Sequence, residues 1–344
     1  MILLRNHAEE APSTQEEMLS NLSRFVFPLL DFKGWVSWVV STIPYGKVST
    51  FGTVASALGS LKASRAVGAW AAEGNPGCRR LVYSDGEVPE SSVALLQSEM
   101  ELEEKGGRYL VPEKYMIKDM KMDAAPFISL RKLQVRNSDL INEGSESFHR
   151  MAGVDISSGK GVHVCAVSSF GSDGRPEGET YYRGEPGIPY VSGFLFFREA
   201  PLILPAIGKA VKNGMIDDNT LLVIDGNGYL HPGRMGIARH IGAVSGMMTC
   251  GVAKKLQTGR IGKWREFSEG EEIADVRESA ELIGYASRRK EGSPIYISRG
   301  NRTTLDGIIK VLIDSKKGRL PVTIRSAHNA ANRIRRSKAP SGDL

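Results

Sequence analysis

The sequence of 344 residues holds only three cysteines, Cys78, Cys165 and Cys250, far apart from one another. So few and so scattered, they exclude a disulfide framework and a structural zinc site. No apolar run approaches the ~20 residues that span a bilayer, so no membrane partner is expected. The opening residues, with Glu9, Glu10, Glu16 and Glu17, lack the basic-then-apolar layout of a signal peptide. A reduced, cytoplasmic protein is the resulting expectation. The 38 glycines follow no strict period, which excludes a collagen-like chain, and no internal repeat is evident. What remains is ordinary globular composition, 41% hydrophobic and 24% charged. The length gives a prior of about two domains.

Acid is nearly absent from residues 33–80, which hold six basic side chains against Glu73 alone. Residues 1–120 nonetheless balance at 12 basic against 15 acidic, while residues 121–344 carry 33 against 24. Two separate basic surfaces are consistent with that distribution, and polyanions are their natural partners. By charge alone, a solvated surface explains the pattern as well.

The pattern along the chain changes character once. Residues 1–31 read as a polar leader followed by an amphipathic helix from Met18 to Leu30. Phe32 to Val40 predicts a packed helix and Ile43 to Lys47 a turn. Thr53 to Leu58, stopped by Gly59, and Ala63 to Glu73, stopped by Gly74-Asn75-Pro76, predict two short helices around a tight turn. That outline is a helix-turn-helix candidate. Asp123-Ala124-Ala125-Pro126 breaks the pattern, and Leu130 to Ile141 predicts a connecting helix. Beyond it, Ala152 to Ile156, Val162 to Ser168, Gly193 to Phe197 and Leu221 to Ile224 read as strands. Leu202 to Val211, Met235 to His240 and Asp275 to Leu282 read as helices. Alternating strands and helices predict an α/β domain around a mixed sheet. Lys316 to Leu344 carries eight basic residues against Asp343, and its last residues are expected to be disordered.

Three carboxylates each follow an apolar run: Asp155 after Gly153-Val154, Glu199 after Phe194 to Arg198, and Asp225 after Leu221 to Ile224. One acid at a strand end is commonly a cap or turn residue. Three acids in one cleft would raise one another's pKa, and a divalent cation removes that conflict. Magnesium prefers such oxygen ligands and supports attack of water on a phosphate.

The stretch Asp225-Gly226-Asn227-Gly228, His231-Pro232-Gly233-Arg234 and Gly236 to Gly242 comes with four other blocks. These are Pro189-Tyr190-Val191, Phe197-Arg198-Glu199-Ala200-Pro201, Gly251-Val252-Ala253-Lys254 and Arg325-Ser326-Ala327-His328. In this order they resemble endonuclease V, a DNA repair nuclease, over about residues 125–336. The resemblance implies a ribonuclease-H-like fold and a metal site at Asp155, Glu199 and Asp225 taking Mg2+, with Mn2+ as an alternative. It also implies that His328 assists that centre, that His231 and Lys254 lie near the cleaved phosphate, and that Tyr190 is a wedge beside the lesion. The implied reaction cuts the second phosphodiester bond 3′ to deoxyinosine. Asn227 stands where the family usually has histidine, Gly233 where a second arginine is common, and Ser192 where proline is common.

The leading half carries a second resemblance. Ile43 to Gly52, Ala63 to Gly68, Asn75-Pro76 and Cys78-Arg79-Arg80-Leu81-Val82 resemble the DNA-binding domain of O6-alkylguanine-DNA alkyltransferases over about residues 32–118. The resemblance implies alkyl transfer to Cys78, an intercalating finger at Arg65, and DNA contacts at Phe51, Asn75 and Arg80. Phe51 replaces a tyrosine, and Arg79 replaces the histidine that normally polarises the thiol. Nearby arginines favour thiolate but cannot act as bases. Leu95 to Glu99 and Arg108-Tyr109-Leu110 resemble the alkyltransferase-like proteins, which bind alkylguanine without an acceptor cysteine. A free cysteine is most often an inert buried thiol; Cys165 and Cys250 read that way.

The expected fold class is therefore two domains: a mainly α helix-turn-helix (winged-helix-like) alkyltransferase domain, then an α/β ribonuclease-H-like endonuclease V domain. Their expected bounds are a leader over 1–31, the first domain over 32–122, the second over 123–336 and a basic tail over 337–344. The expected function is a bifunctional DNA repair enzyme, a monomer acting on double- or single-stranded DNA with deoxyinosine or O6-alkylguanine. The alternatives are a nuclease fused to a non-catalytic alkylguanine sensor, a nucleic-acid-binding scaffold and an inosine-specific ribonuclease.

Overall fold

The structure is a computed structural model that describes residues 30–144 and 147–337. Residues 18–29 of the expected amphipathic helix and the tail beyond Ser337 lie outside the described residues. The chain divides into two compact units: residues 30–133 with 188–194, and residues 134–187 with 195–337. Among the described residues, no helix is long and apolar enough to cross a membrane.

The first unit opens with helix α1 (Phe32–Ser41), capped where Gly34 N donates to Asp31 Oδ1 at 2.8 Å. Strand β1 (Val48–Thr50) leads directly into α2 (Phe51–Ala57), whose first turn is capped by the Thr50 hydroxyl accepting from Thr53 N. A 3-10 turn over Leu61–Ala63 then carries the chain into α3 (Ser64–Ala72). The turn depends on Gly59, which has φ of +91°, and a Cβ there would meet Ile128 at 2.8 Å. The expected helix-turn-helix outline is thus present, with the first helix starting two residues earlier than expected and the second trimmed by one residue at each end. Strands β2 (Leu81–Val82), helix α4 (Val93–Glu99), β3 (Glu103–Lys105), β4 (Arg108–Leu110) and β5 (Met116–Ile117) follow. β1 lies between β2 and β5 in a parallel three-stranded sheet, and β3 and β4 form a hairpin. Val48, Val82, Val88, Leu96, Met100 and Val111 form the buried core beneath them. Helix α5 (Pro126–Ser138) replaces the expected Leu130 to Ile141 helix, beginning at the proline itself, a favourable first helical position.

The second unit is built on one large mixed sheet. Its strands are β6 (Arg150–Gly159), β7 (Val162–Gly171), β8 (Pro176–Arg183), β9 (Thr220–Asp225) and β10 (Met248–Ala253), with β11 (Arg260–Ile261), β12 (Arg265–Ser268), β13 (Glu271–Glu278), β14 (Glu281–Arg289) and β15 (Ile295–Arg299). The order is β11-β13-β14-β15-β10-β9-β6-β7-β8, with β12 beside β13. β6, β9 and β10 run parallel and the rest pair antiparallel. Helices α6 (Leu195–Lys212), α7 (Ile237–Ser245), α8 (Leu305–Asp314) and α9 (Val322–Arg336) complete the unit. The core is apolar strand faces against helices: Leu221, Val223, Met248, Val252 and Ile297 pack with Ile308, Leu312 and Ile324.

Two sequence expectations fail here. Gly193 to Phe197 is not a strand: Leu195–Phe197 opens α6, which buries Phe196, Phe197, Ala200, Ile203, Leu204 and Ile207 on a helical stripe. Asp275 to Leu282 is not a helix but the turn of the β13–β14 hairpin, with Ser279 at φ of 54° where the chain reverses.

Helix α9 runs against β6, and Gly153 permits the approach. A Cβ at Gly153 would sit 2.0 Å from the Thr323 carbonyl oxygen. That atom is backbone and has nowhere to move, so Gly153→Ala is expected to destabilise the unit by about 3 kcal/mol. Urea unfolding checks it, and a midpoint within error of wild type would refute the close approach.

Candidate functional site

The parallel register Val154↔Ile224 sets Asp155 of β6 beside Asp225 at the end of β9. Asp225 in turn pairs with Val252 of β10, which carries Lys254 just past the strand end. The Lys254 ammonium lies 2.5 Å from Asp225 Oδ2. From α9, His328 Nδ1 lies 2.7 Å from Asp155 Oδ2, and Ile156 N donates to Asp155 Oδ1 at 2.8 Å. Asp225 ends its strand as expected. Asp155 does not: β6 continues to Gly159, so Asp155 sits within the strand at 8% exposure. Glu199 follows no strand either and projects from the second turn of α6.

The three carboxylates feel one another. Burial, reinforced by the charge of Asp225, pushes the Asp155 carboxyl up to about 6, against the opposing pull of His328 and Lys254. Burial pushes Glu199 up to about 8; Arg198 opposes this, while Asp155 and Asp225 add to it. Among the described residues, no three His, Cys, Asp or Glu side chains converge closely enough to hold a metal ion. The donor chemistry still fits a hard divalent cation. Three half-buried or buried carboxylates carry mutual repulsion that a cation would relieve, and their oxygens are the ligand type magnesium takes.

His231 lies in the loop after β9, buried at 4% exposure, with its Nδ1 accepting from Gly233 N at 3.2 Å. Burial chiefly pushes the neighbouring His240 down to about 3, with a smaller electrostatic contribution from His231. His240 stacks on Phe196 with ring centroids 3.5 Å apart, and its Nε2 lies 2.7 Å from Asn137 Nδ2. His240 is therefore neutral when folded and titrates near 6.5 when unfolded. The unfolded state binds the extra proton as pH falls below about 6.5, so this contribution is complete above that value and is lost on acidification. Urea titrations should show stability falling by up to ~1.4 kcal/mol per pH unit below 6, a slope that His240→Phe removes. Identical slopes in the two proteins would contradict the assignment.

In the first unit, Cys78 opens a short 3-10 turn, Cys78–Arg80, and is half-buried. Gly77 before it has φ of +80°. Asn75 Nδ2 donates to Trp70 O at 2.6 Å, fastening the loop before Cys78 to the end of α3. Arg79 is exposed. Arg80 instead forms a two-point ion pair with Glu99 of α4, at 2.7 and 2.8 Å, and also donates to Lys47 O. Its charge is thus matched by Glu99, and the pair ties the segment after Cys78 to α4. Arg65 is exposed on the first turn of α3. Phe51 packs edge-on to the half-exposed ring of Tyr83 at 5.5 Å. Tyr190, 60% exposed, stands between buried Ile188 and Val191.

Asp155, Asp225, Glu199, Lys254 and His328 are therefore one electrostatically linked cluster, with His231 in the loop that follows Asp225. The partners missed from sequence are Glu99, which clamps Arg80, and Asn332, whose Nδ2 lies 2.9 Å from His328 Nε2. Asn332 stands one helical turn after His328, a spacing that could have nominated it.

A family model described as Endonuclease V matches residues 131–329, and one described as 6-O-methylguanine DNA methyltransferase, DNA binding domain, matches residues 31–106. An endonuclease V of Gloeobacter violaceus is 37% identical over 155 residues, covering 44% of this chain and 61% of that protein. The chain thus spans less than two thirds of that relative. A bifunctional methyltransferase/endonuclease of Picrophilus torridus is 26% identical over 318 residues, covering 90% of this chain and 98% of that protein. The crystal structure of an endonuclease V from Streptomyces avermitilis superposes with a TM-score of 0.54 at 29% identity, covering 60% of this chain and 92% of that one.

Proposed function

Because the chain belongs to the endonuclease V family through residues 131–329 and carries a 6-O-methylguanine DNA methyltransferase DNA-binding domain over residues 31–106, we propose that it is a bifunctional DNA repair protein. Its second unit nicks DNA at the second phosphodiester bond 3′ to deoxyinosine. Its first unit accepts the alkyl group of O6-alkylguanine on Cys78. The domain bounds proposed are 32–122 and 123–336.

The observation that supports nicking most directly is the buried Asp155–Asp225–Glu199 cluster with Lys254 and His328 against it. Asp155, Asp225 and Glu199, drawn closer together than they lie here, would hold Mg2+, or Mn2+ in its place, and the ion would supply Lewis-acid charge and acidify a bound water. Lys254 is a point charge within reach of an incoming phosphate oxygen, and that phosphate would compete with Asp225 for it. His328 holds Asp155 in place through Oδ2. Tyr190 presents a flat, exposed ring suited to fill the gap left by an extruded base. His231, in the loop that follows Asp225, is assigned to the cut phosphate by the family resemblance alone.

For alkyl transfer, the Cys78 thiolate attacks the alkyl carbon. The S–C bond forms as the C–O6 bond breaks, the electron pair stays on guanine, and guanine takes up a proton. Solvent receives the thiol's own proton. Arg65 is exposed on α3, as a finger entering DNA must be, and Phe51, Asn75 and Arg80 are the proposed DNA contacts of the same unit. One observation favours the sensor alternative: Arg80 is neutralised by Glu99, which leaves Arg79 as the remaining adjacent cation. A deoxyinosine duplex incubated with Mg2+ tests the nuclease reading, with nicking one nucleotide beyond the lesion as the expected result. An inosine RNA run in parallel decides between DNA and RNA, and cleavage of RNA alone would replace the DNA reading by the ribonuclease one.

A further inference from the structure

Helix α9 and strand β6 meet at four points in succession. Gly153 faces Thr323, Asp155 meets His328, Ser157 meets Asn332 and Arg335, and Gly159 lies against Arg335. Two strand residues advance ~6.6 Å and four helix residues ~6 Å, so the two elements stay in step. Two of these points, at Asp155 and at Ser157, are joined by hydrogen bonds, and the direction of each bond can be fixed.

Arg335 Nε lies 2.7 Å from Ser157 Oγ. A guanidinium only donates, so the Ser157 oxygen accepts there and its own proton points elsewhere. It points to Asn332 Oδ1 at 2.8 Å. The other end of that amide is 3.0 Å from the His328 carbonyl oxygen, which only accepts. Both contacts place oxygen toward Ser157 and nitrogen toward His328, so the amide has one orientation. Its Nδ2 also lies 2.9 Å from His328 Nε2 and donates to it. Nε2 then carries no proton. The neutral ring keeps its proton on Nδ1 and gives it to Asp155 Oδ2 at 2.7 Å.

We infer that Arg335, Ser157 and Asn332 form a one-way hydrogen-bond relay that locks His328 in its Nδ1–H tautomer, making Asn332 a positioning residue for Asp155. His328 thereby acts as a donor that orients a carboxylate, rather than as a base with a free nitrogen. Outer partners of this kind set how a carboxylate presents its remaining oxygens. The effect on cleavage rests on the proposed nuclease activity, whereas the tautomer does not.

The test is a long-range nitrogen–proton correlation spectrum of the full chain labelled with nitrogen-15, recorded near pH 8. Comparison with His328→Gln identifies the His328 signals. The wild type should show protonated Nδ1 and bare Nε2. Asn332→Asp is nearly isosteric but can only accept at Nε2, so it should move the proton there and slow nicking of the inosine duplex about tenfold. Ser157→Ala removes one of the two contacts that orient the amide, so it should weaken the tautomer preference to a mixture, and Ser157→Thr should restore the wild-type pattern. Protonated Nε2 in the wild type, or an unchanged pattern in Asn332→Asp, overturns the relay; the wild-type spectrum decides alone if a variant fails to fold. Absence of nicking by the wild type with its Nδ1–H spectrum intact would overturn the nuclease reading and leave the relay standing.

Discussion

Asp225→Asn is expected to lower nicking of a deoxyinosine duplex by about three orders of magnitude, since a charge stabilisation of ~4 kcal/mol converts at 1.36 kcal/mol per decade. Three consequences of one substitution coincide. The ligand charge proposed for the cation is removed, the Lys254 ammonium loses the carboxylate it touches, and Asp155 loses a neighbour that raises its pKa. The last effect gives the result an internal control. With the Asp225 charge gone, the Asp155 carboxyl should titrate lower, which a carbon-detected pH titration of the two proteins reads directly. The fold should hold, because asparagine fills the same space at a strand end. Single-turnover nicking measures the effect, and a loss of less than tenfold would remove Asp225 from the proposed site.

Cys78→Ser is expected to abolish transfer of a labelled alkyl group from O6-alkylguanine DNA to the protein while leaving DNA binding within about twofold. The effect is all-or-none because no other thiol can substitute. Cys165 and Cys250 are fully buried, and burial pushes both thiols up. Label retained by Cys78→Ser would contradict Cys78 as acceptor. Tight binding by the wild type with no label on Cys78 would establish the sensor alternative. A second substitution sharpens the test. Glu99→Gln leaves Arg80 with an unneutralised charge near the thiol, so it should speed transfer if thiolate content limits it. Unchanged transfer in Glu99→Gln would show that the ion pair serves only to hold α4 in place.

The residues of the cluster are legible in the amino-acid sequence, and their settings are not. Asp155, Glu199 and Asp225 stand out as acids after apolar runs, yet only Asp225 ends a strand. Asp155 sits mid-strand because β6 runs four residues further, through Ile156, Ser157, Ser158 and Gly159, and stays paired to β7 along its whole length. Nothing in the polar Ser157-Ser158 pair announces that continuation. Glu199 reads as following a strand because a short apolar run has no period of its own. The stripe that reveals a helix runs from Phe196 across Pro201 and Pro205, residues that ordinarily argue against a helix interior. The β13–β14 hairpin is hidden in the opposite way. Charged residues spaced through Asp275 to Leu282 imitate a helical face, and Ile273 and Val276, three apart and packed in different core clusters, supply no strand alternation to set against it. Arg80 shows a further limit. Its partner Glu99 is nineteen residues away, and no local pattern announces that pairing.

The contact between His328 and Asp155 joins residues 173 positions apart. During synthesis the chain emerges from its amino end, and domains assemble in that order. The strand bearing Asp155 is therefore made long before the helix bearing His328, Asn332 and Arg335. The proposed nuclease cluster stays unfinished until residues 322–336 have been made, whereas Cys78, Arg80 and Glu99 all precede residue 100. A nascent chain would thus complete the proposed alkylguanine site before the proposed cutting site, so on that reading a translation product halted early would bind damage without breaking a strand.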